Sequence, residues 1–245
     1  MKINVYQDKK TTSKYAAERA REILIESIEK DGEAVFIIAT GNSQLEFLAE
    51  LVEFDDIDWS KTKLYHLDEY LGIDETHKAS FRKYIKENFI SKLGELKEIN
   101  LIDGMNDPEK ECQRLNQKIK EEDKIQAAFV GIGENGHLAF NEPPADFEEE
   151  DPFIIVELDD VSRKQQVKEG WFETIADVPK NAITMTVKQI MKSENIICTV
   201  PGARKAEAVK NCLAGDEVTV DCPSSILKEH KSTDVFLDED SAKLL

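Results

Sequence analysis

Short apolar runs alternate with helical patterns along the 245-residue chain, and this alternation is the strongest constraint on its fold. The apolar runs predict strands at residues 34–39, 64–67, 127–132, 154–158, 196–200 and 234–237. Apolar residues at helical spacing predict helices around residues 16–28 and at 43–52, 80–93, 108–120, 162–172 and 204–213. Continuous apolar strands need cover on both faces. We therefore expect one α/β domain over residues 1–245, with a mostly parallel sheet and helices on both faces.

Charge and composition exclude several classes of protein. Lys and Arg number 32 against 50 Asp and Glu, which gives a formal net charge of −18. Such a surface repels nucleic acid and anionic membranes, so an anionic ligand needs a local cationic pocket. The polar N-terminal segment and the lack of any window near about 18 consecutive apolar residues favour a cytoplasmic location. The four cysteines contain no C-x-x-C pair, which predicts reduced thiols and no zinc site.

Ligands of open parallel sheets lie beyond the carboxyl ends of the strands, so the polar residues that follow each apolar run are the candidate site. The first is the turn Thr40-Gly41-Asn42-Ser43, which opens a helix and could hold a phosphate on its backbone N–H groups. It is not a P-loop, because no Gly-Lys-Ser/Thr follows. The alternative is that Ser43 only caps the helix.

The second candidate is the acidic pair Asp68-Glu69, which follows the strand at 64–67. Mutual repulsion and partial burial would raise a carboxyl pKa towards the range that suits proton abstraction. Solvated surface acids explain the pair about as well in a chain with 50 acids.

The most informative segment is GIGENGHLAFNEP at residues 131–143. Its three glycines follow an apolar strand and let the backbone turn tightly. They deliver His137 with polar neighbours at Asn135 and Glu142. A histidine at the end of a strand in a glycine-rich turn favours a functional over a structural interpretation.

Two cations could supply the local positive pocket: Arg163, and Lys205 just after the strand at 196–200. Arg offers a planar fork and Lys a point charge, and both suit phosphate. Sequence spacing alone does not establish that they converge, and each could equally be a solvated surface residue.

Taken together, these motifs resemble the glucosamine-6-phosphate deaminase (isomerase) family. The resemblance is carried by residues 131–143, by LDEY and HKASF upstream, and by ITMTVKQIM and GARKAEAV downstream. It implies a modified Rossmann-like fold. It also implies conversion of glucosamine 6-phosphate and water to fructose 6-phosphate and ammonia, without an organic cofactor or metal.

The resemblance also implies roles for individual residues. Asp68 would move a proton between C2 and C1 of the sugar. His137 would promote opening of the pyranose ring, assisted by Asn135 and Glu142. The 6-phosphate would be held by five residues: Gly41, Asn42, Ser43, Arg163 and Lys205.

Three departures from the family pattern affect these expectations. Asn135 stands where some members have Asp, which leaves Glu142 as the ionic partner of His137. Gln44 stands where members often have Pro, and we expect this change to affect the start of the helix more than the chemistry. Residues 144–152 carry no cation, whereas activated members bind N-acetylglucosamine 6-phosphate there. The sequence therefore predicts no such activation and leaves a homo-oligomer as an open expectation.

Three alternatives remain beside this interpretation. A galactosamine-6-phosphate deaminase would share the motifs, because they do not report the C4 epimer. A 6-phosphogluconolactonase typically has Asp-Glu-Arg where this chain has Asp68-Glu69-Tyr70, and a Ser-Leu-Phe-Pro-like run at 139–143. A non-catalytic sugar-phosphate sensor would need a DNA-binding module, for which the chain has no spare residues.

Overall fold

A computed structural model describes residues 1–245, and ten strands and eight helices make up its regular structure. The strands are β1 (Lys2–Tyr6), β2 (Ala34–Ile38), β3 (Thr62–His66), β4 (Asp68–Tyr70), β5 (Glu98–Asn100), β6 (Ala127–Val130), β7 (Phe153–Glu157), β8 (Asn181–Met185), β9 (Asn195–Val200) and β10 (Thr233–Asp238). The helices are α1 (Lys9–Asp31), α2 (Leu45–Leu51), α3 (Phe81–Asn88), α4 (Pro108–Lys120), α5 (Asp160–Lys168), α6 (Val187–Ile190), α7 (Ala206–Leu213) and α8 (Glu239–Ala242).

Seven strands form the main sheet, in the order β1-β10-β9-β6-β2-β3-β5. Every neighbouring pair in it is parallel. One face is covered by α1, α2 and α3, and the other by α4, α6 and α7. The predicted fold class, a mostly parallel sheet with helices on both faces, is confirmed.

Strand β2 shows why its sequence is apolar without a break. All five of its residues are buried. Val35 and Ile37 pack in the cluster shared with α4 and α7, whereas Phe36 and Ile38 pack in the cluster shared with α1 and α2. Alternate side chains point to opposite faces of a strand, so a central strand with helices on both sides needs apolar residues at every position.

Helix α4 shows how local sequence sets its start. Asp107 caps it, with a side-chain oxygen that accepts a hydrogen bond from the Lys110 backbone N–H. Pro108 occupies the first helical position, where its missing N–H costs no hydrogen bond. The helix spans residues 108–120, as the sequence predicts.

The structure differs from the sequence prediction in a second, smaller sheet. Strands β4, β8 and β7 pair antiparallel in that order. The apolar run predicted at 154–158 lies in this sheet, where the residues of β7 alternate in exposure, and not in the main sheet. Edge strands β1 and β5 were not predicted, because they are short and partly exposed and so carry no unbroken apolar run. None of the helices is long and apolar enough to cross a membrane.

Candidate active site

A cavity of about 310 Å³ lies at the carboxyl ends of β9, β6, β2 and β3, four neighbouring strands of the main sheet. Apart from the edge strand β1, the chain builds the sheet outward from β2 in one direction and from β6 in the other. The gap between β2 and β6 is therefore the topological switch point, where α/β sheets bind their ligands. Of the residues singled out in the sequence, the cavity lining includes Gly41, Asn42, Ser43, Asp68, His137 and Lys205.

His137 is presented by the loop that follows β6. The loop closes with backbone hydrogen bonds between Gly133 and His137 (3.0 Å) and between Gly136 and Gly133 (3.1 Å). The imidazole lies so close over Gly133 that a Cβ there would overlap the ring. Gly136 has a φ of +88°, in the left-handed region that favours glycine. The glycines of the motif thus bring the backbone and the imidazole together.

Glu142 holds the imidazole from the side away from the cavity. Its Oε2 lies 3.2 Å from Nδ1 of His137, and it also accepts hydrogen bonds from the Asn135 amide and the Ser162 hydroxyl. Burial opposes ionisation of Glu142, yet the His137 charge and these hydrogen bonds hold its pKa below the ordinary value. A carboxylate only accepts, so Nδ1 donates to it and Nε2 is left for a ligand.

Asn135 forms hydrogen bonds with both His137 and Glu142. Its side-chain oxygen accepts the backbone N–H of His137 at 3.2 Å, while its amide nitrogen donates to Glu142. An Asp at this position could accept the N–H but not donate to a carboxylate. The amide therefore suits a site in which Glu142 carries the charge.

Asp68 is the first residue of β4 and lines the cavity with only 7% of its surface exposed. Burial, reinforced by the nearby charges of Glu69 and Glu142, raises the pKa of Asp68 to about 8. A carboxylate with such a pKa is a stronger base than an ordinary one, and the interpretation of Asp68 as a solvated surface acid is excluded.

The neighbouring Glu69 has a different, structural role. It is fully buried and accepts hydrogen bonds from the Ser80 hydroxyl (2.9 Å) and the Arg82 backbone N–H (2.8 Å). Two further backbone N–H groups, those of Tyr70 and Phe81, donate to its other oxygen. Glu69 thus fastens β4 to the start of α3, and the fastening holds Asp68 in place.

The turn at Gly41–Ser43 lines the same cavity as Asp68 and His137. The Gly41 carbonyl accepts the Tyr84 hydroxyl at 2.9 Å. Gln44, not Ser43, precedes the first residue of α2, so the alternative that Ser43 caps this helix is wrong.

The expectation for Gln44 is also corrected. Its side chain is buried and donates to the Ser43 hydroxyl and to the Thr199 carbonyl at the end of β9, both at 3.1 Å. Gln44 therefore orients a side chain of the cavity wall and ties two loops together, which is more than an effect on the start of the helix.

Lys205 ends a short 3₁₀ helix, Ala203–Lys205, that follows β9. It lines the cavity, and no carboxylate lies within ion-pair distance of it. Burial lowers the pKa of its ammonium group, while the charges of Glu134 and Glu169 oppose that shift. Lys205 is thus a cation without a partner, aimed at the space where a ligand would lie.

Arg163 is not brought into the cavity. Its guanidinium donates to the carbonyl oxygens of Ile175 (2.7 Å) and Val178 (3.2 Å) and pairs with Asp160 at 3.1 Å. These contacts fix the segment that follows α5. Nε of Arg163 is buried without a hydrogen-bond partner, so the guanidinium is only partly used, and its part in holding a phosphate stays a prediction.

The expectation of four reduced thiols is corrected as well. Cys212 at the end of α7 and Cys222 form a disulfide, with Cα atoms 5.4 Å apart, and only Cys112 and Cys198 are free. Both sulfur atoms pack against Gly136 in the His137 loop. The fold brings together two cysteines whose spacing of ten residues matches no common motif.

Sequence reasoning missed several cavity residues: Lys9, Gln165, Glu169, Trp171 and Arg204. It also missed Ser162, which lies in the first turn of α5 and donates to Glu142. Most of them lie away from the ends of predicted strands. Arg204 directly precedes Lys205 in GARKAEAV, which was the one available signal.

The amino-acid sequence is similar to those of known proteins over nearly its whole length. The profile of the family described as glucosamine-6-phosphate isomerases/6-phosphogluconolactonase matches residues 7–236. A glucosamine-6-phosphate deaminase of Clostridium acetobutylicum is 34% identical, with both chains covered in full. One of Lactococcus lactis subsp. cremoris is 37% identical over 91% of this chain and 92% of the relative.

The fold is also similar to those of solved structures. A monomeric glucosamine-6-phosphate deaminase superimposes with a TM-score of 0.90 at 27% identity, covering both chains in full. The 6-phosphogluconolactonase of Trypanosoma brucei has a TM-score of 0.80 at 15% identity, over 100% of this chain and 98% of that one, and so shares the fold.

The fold and cavity define a Rossmann-like α/β protein in which Asp68 and His137 line one cavity with the cations Arg204 and Lys205. Within that class, the chain belongs to the family of glucosamine-6-phosphate isomerases and 6-phosphogluconolactonases.

Proposed function

We propose that the protein is a glucosamine-6-phosphate deaminase, which converts glucosamine 6-phosphate and water to fructose 6-phosphate and ammonia. The observation that carries the proposal is one cavity that joins a buried carboxyl of raised pKa, Asp68, to the His137–Glu142 pair and to the Lys205 ammonium. Relatives named for this activity that align over the full chain support it.

His137 serves ring opening in this proposal. Ring opening removes a proton from the anomeric hydroxyl and adds a proton to the ring oxygen. An imidazole can accept the first proton and donate a proton to the ring oxygen. Glu142 and Asn135 hold the ring with Nε2 towards the cavity, and the Glu142 carboxylate stabilises the imidazolium when it forms.

Asp68 performs the isomerisation. Its carboxylate removes the C2 proton of the opened sugar and a proton is returned to C1. The aldehyde oxygen gains a proton and the amino group loses one, which leaves a hydroxyl at C1 and an imine at C2. Water adds to that carbon, and the resulting carbinolamine releases ammonia to give the ketone. A well-placed general base contributes about 10² to 10⁴-fold, so the remaining acceleration comes from fixing the open chain.

The 6-phosphate binds at the other end of the cavity, between Lys205 and the turn Gly41, Asn42 and Ser43. In a chain of net charge −18, a cation free of carboxylate partners is the natural anchor for an anion. No organic cofactor is required, because the steps are proton transfers and addition of water. We also propose that the protein acts in the cytoplasm; a homo-oligomer stays a prediction.

The test is a parallel assay of purified protein with three substrates: glucosamine 6-phosphate, galactosamine 6-phosphate and 6-phosphogluconolactone. Release of ammonia and of fructose 6-phosphate from the first supports the proposal. Turnover of the galactosamine epimer alone, with tagatose 6-phosphate as product, would replace the substrate. Lactone hydrolysis without ammonia release from either amino sugar would contradict the proposed chemistry.

A further inference from the structure

Arg204 is a second cation in the wall of the cavity, next in sequence to Lys205. Unlike Lys205, it is paired: Nη1 lies 3.3 Å from Glu134 and 3.6 Å from Glu169. About half of its side chain is exposed, so the guanidinium can turn without disturbing the core. A planar fork of donors so close to an ammonium group is well suited to a phosphate.

The two carboxylates come from separate elements around the cavity. Glu134 belongs to the His137 loop, and Glu169 directly follows α5. Glu169 is nearly buried and also accepts hydrogen bonds from the amides of Asn42 (3.3 Å) and Gln165 (2.9 Å). One carboxylate thus links the turn that faces the phosphate to the Arg204 guanidinium.

Carboxylates at an anion pocket weaken anion binding unless they are displaced or neutralised by the cations they contact. The other cations near the pocket are less available. Arg163 does not line the cavity, and Lys9 pairs with Glu46 at 3.2 Å while it donates to the Asn42 carbonyl. Arg204 is the guanidinium that lines the cavity beside Lys205.

We propose that Arg204 binds the substrate phosphate together with Lys205, and that Glu134 and Glu169 hold its guanidinium in the unliganded protein until the phosphate displaces them. That the anion is a sugar phosphate rests on the proposed function. The two carboxylates compete with the ligand for the same cation.

If the carboxylates compete with the phosphate for Arg204, substitutions of Arg204 and of Glu169 should change the affinity for an anion in opposite directions. Arg204→Gln removes a charge-assisted contact and should weaken anion binding by about 10-fold or more. Glu169→Gln keeps the hydrogen-bond acceptor for Asn42 but removes the competing charge, and should strengthen anion binding by about 3-fold or more. In the double variant the gain from Glu169→Gln should shrink, because the cation for which it competes is gone.

The experiment is calorimetric titration of the full chain with inorganic phosphate, so that no turnover is needed. Lys210→Gln and Glu207→Gln are matched controls, because they remove one charge of each sign from exposed positions on α7 outside the cavity. Both controls should bind phosphate within about 2-fold of the unaltered chain, since neither side chain lines the cavity and solvent and salt weaken the effect of exposed charges.

Three results would overturn the proposal: no phosphate binding by the unaltered chain, an Arg204→Gln affinity no lower than that of Lys210→Gln, or a Glu169→Gln affinity that does not rise. A chain that shows the expected phosphate affinities but releases no ammonia from amino sugar phosphates would contradict the proposed function and leave the role of Arg204 in anion binding intact.

Discussion

Replacing Asp68 with Asn should change how the stability of the protein depends on pH. The substitution keeps the shape of the side chain and removes the ionisable group. In the folded protein, burial and the charges of Glu69 and Glu142 raise the pKa of Asp68 from 3.8 to about 8. The folded state therefore holds this proton more tightly than the unfolded chain does, and the Asp68 contribution to stability falls as pH rises from about 4 to about 8.

The size of the effect follows from the shift. Each pKa unit corresponds to about 1.4 kcal/mol, so a shift of about four units sets an upper limit of about 6 kcal/mol. Asp68 is nearly fully buried, so solvent screens little of this. Effects of the substitution that do not depend on pH cancel when the pH dependences of the two proteins are compared.

The assay is urea unfolding of both proteins at pH 5, 7 and 9. The difference in free energy of unfolding, variant minus unaltered protein, should increase by several kcal/mol from pH 5 to pH 9. Equal pH dependence in the two proteins would refute the argument, because Asp68 would then have an ordinary pKa.

Other predictions follow from the same geometry. Lys205→Ala should raise KM more than it lowers kcat in steady-state assays, because the phosphate contact is uniform across the reaction; an unchanged KM would remove Lys205 from the phosphate site. Gly133→Ala should lower kcat at least about 10²-fold, the low end of the range for a general acid or base, because a Cβ would displace the imidazole, whereas Gly94→Ala, with open space around it, should not. Thiol titration of the purified protein in denaturant without reductant should find two thiols, and four would contradict the Cys212–Cys222 bond. Cys222→Ser should cost about 2–4 kcal/mol of unfolding free energy at 25 °C. N-acetylglucosamine 6-phosphate should not activate ammonia release, since residues 144–152 hold no cation; a large rise in rate would show that another segment binds it.

The sequence predicts the sheet well wherever a strand is buried on both faces. Strands such as β2 and β6 are apolar at every position, and the residues that follow them line the cavity. The same reasoning finds β7 from its apolar run but not β4 or β8, because their sequences, DEY and NAITM, contain no unbroken apolar run. The loop with His137 was predictable because its glycines and histidine are close in sequence.

The cations that line the cavity were predicted only in part. Lys205 lies shortly after a predicted strand, and it was found because ligands of such sheets bind beyond the carboxyl ends of the strands. The direction of a long side chain depends on its neighbours in space, and the carbonyls of Ile175 and Val178 that hold Arg163 lie 12 and 15 residues away from it. For the same reason the pairing of Arg204 with Glu134 and Glu169 could not be derived from spacing.

The most direct test of the central claim, that Asp68 transfers the proton that turns the amino sugar into a ketose, compares ammonia release from glucosamine 6-phosphate by the unaltered protein and by Asp68→Asn, with folding checked by circular dichroism. The account predicts turnover by the unaltered protein and a loss of at least about 10²-fold in kcat for the variant. A folded variant with full activity would contradict it.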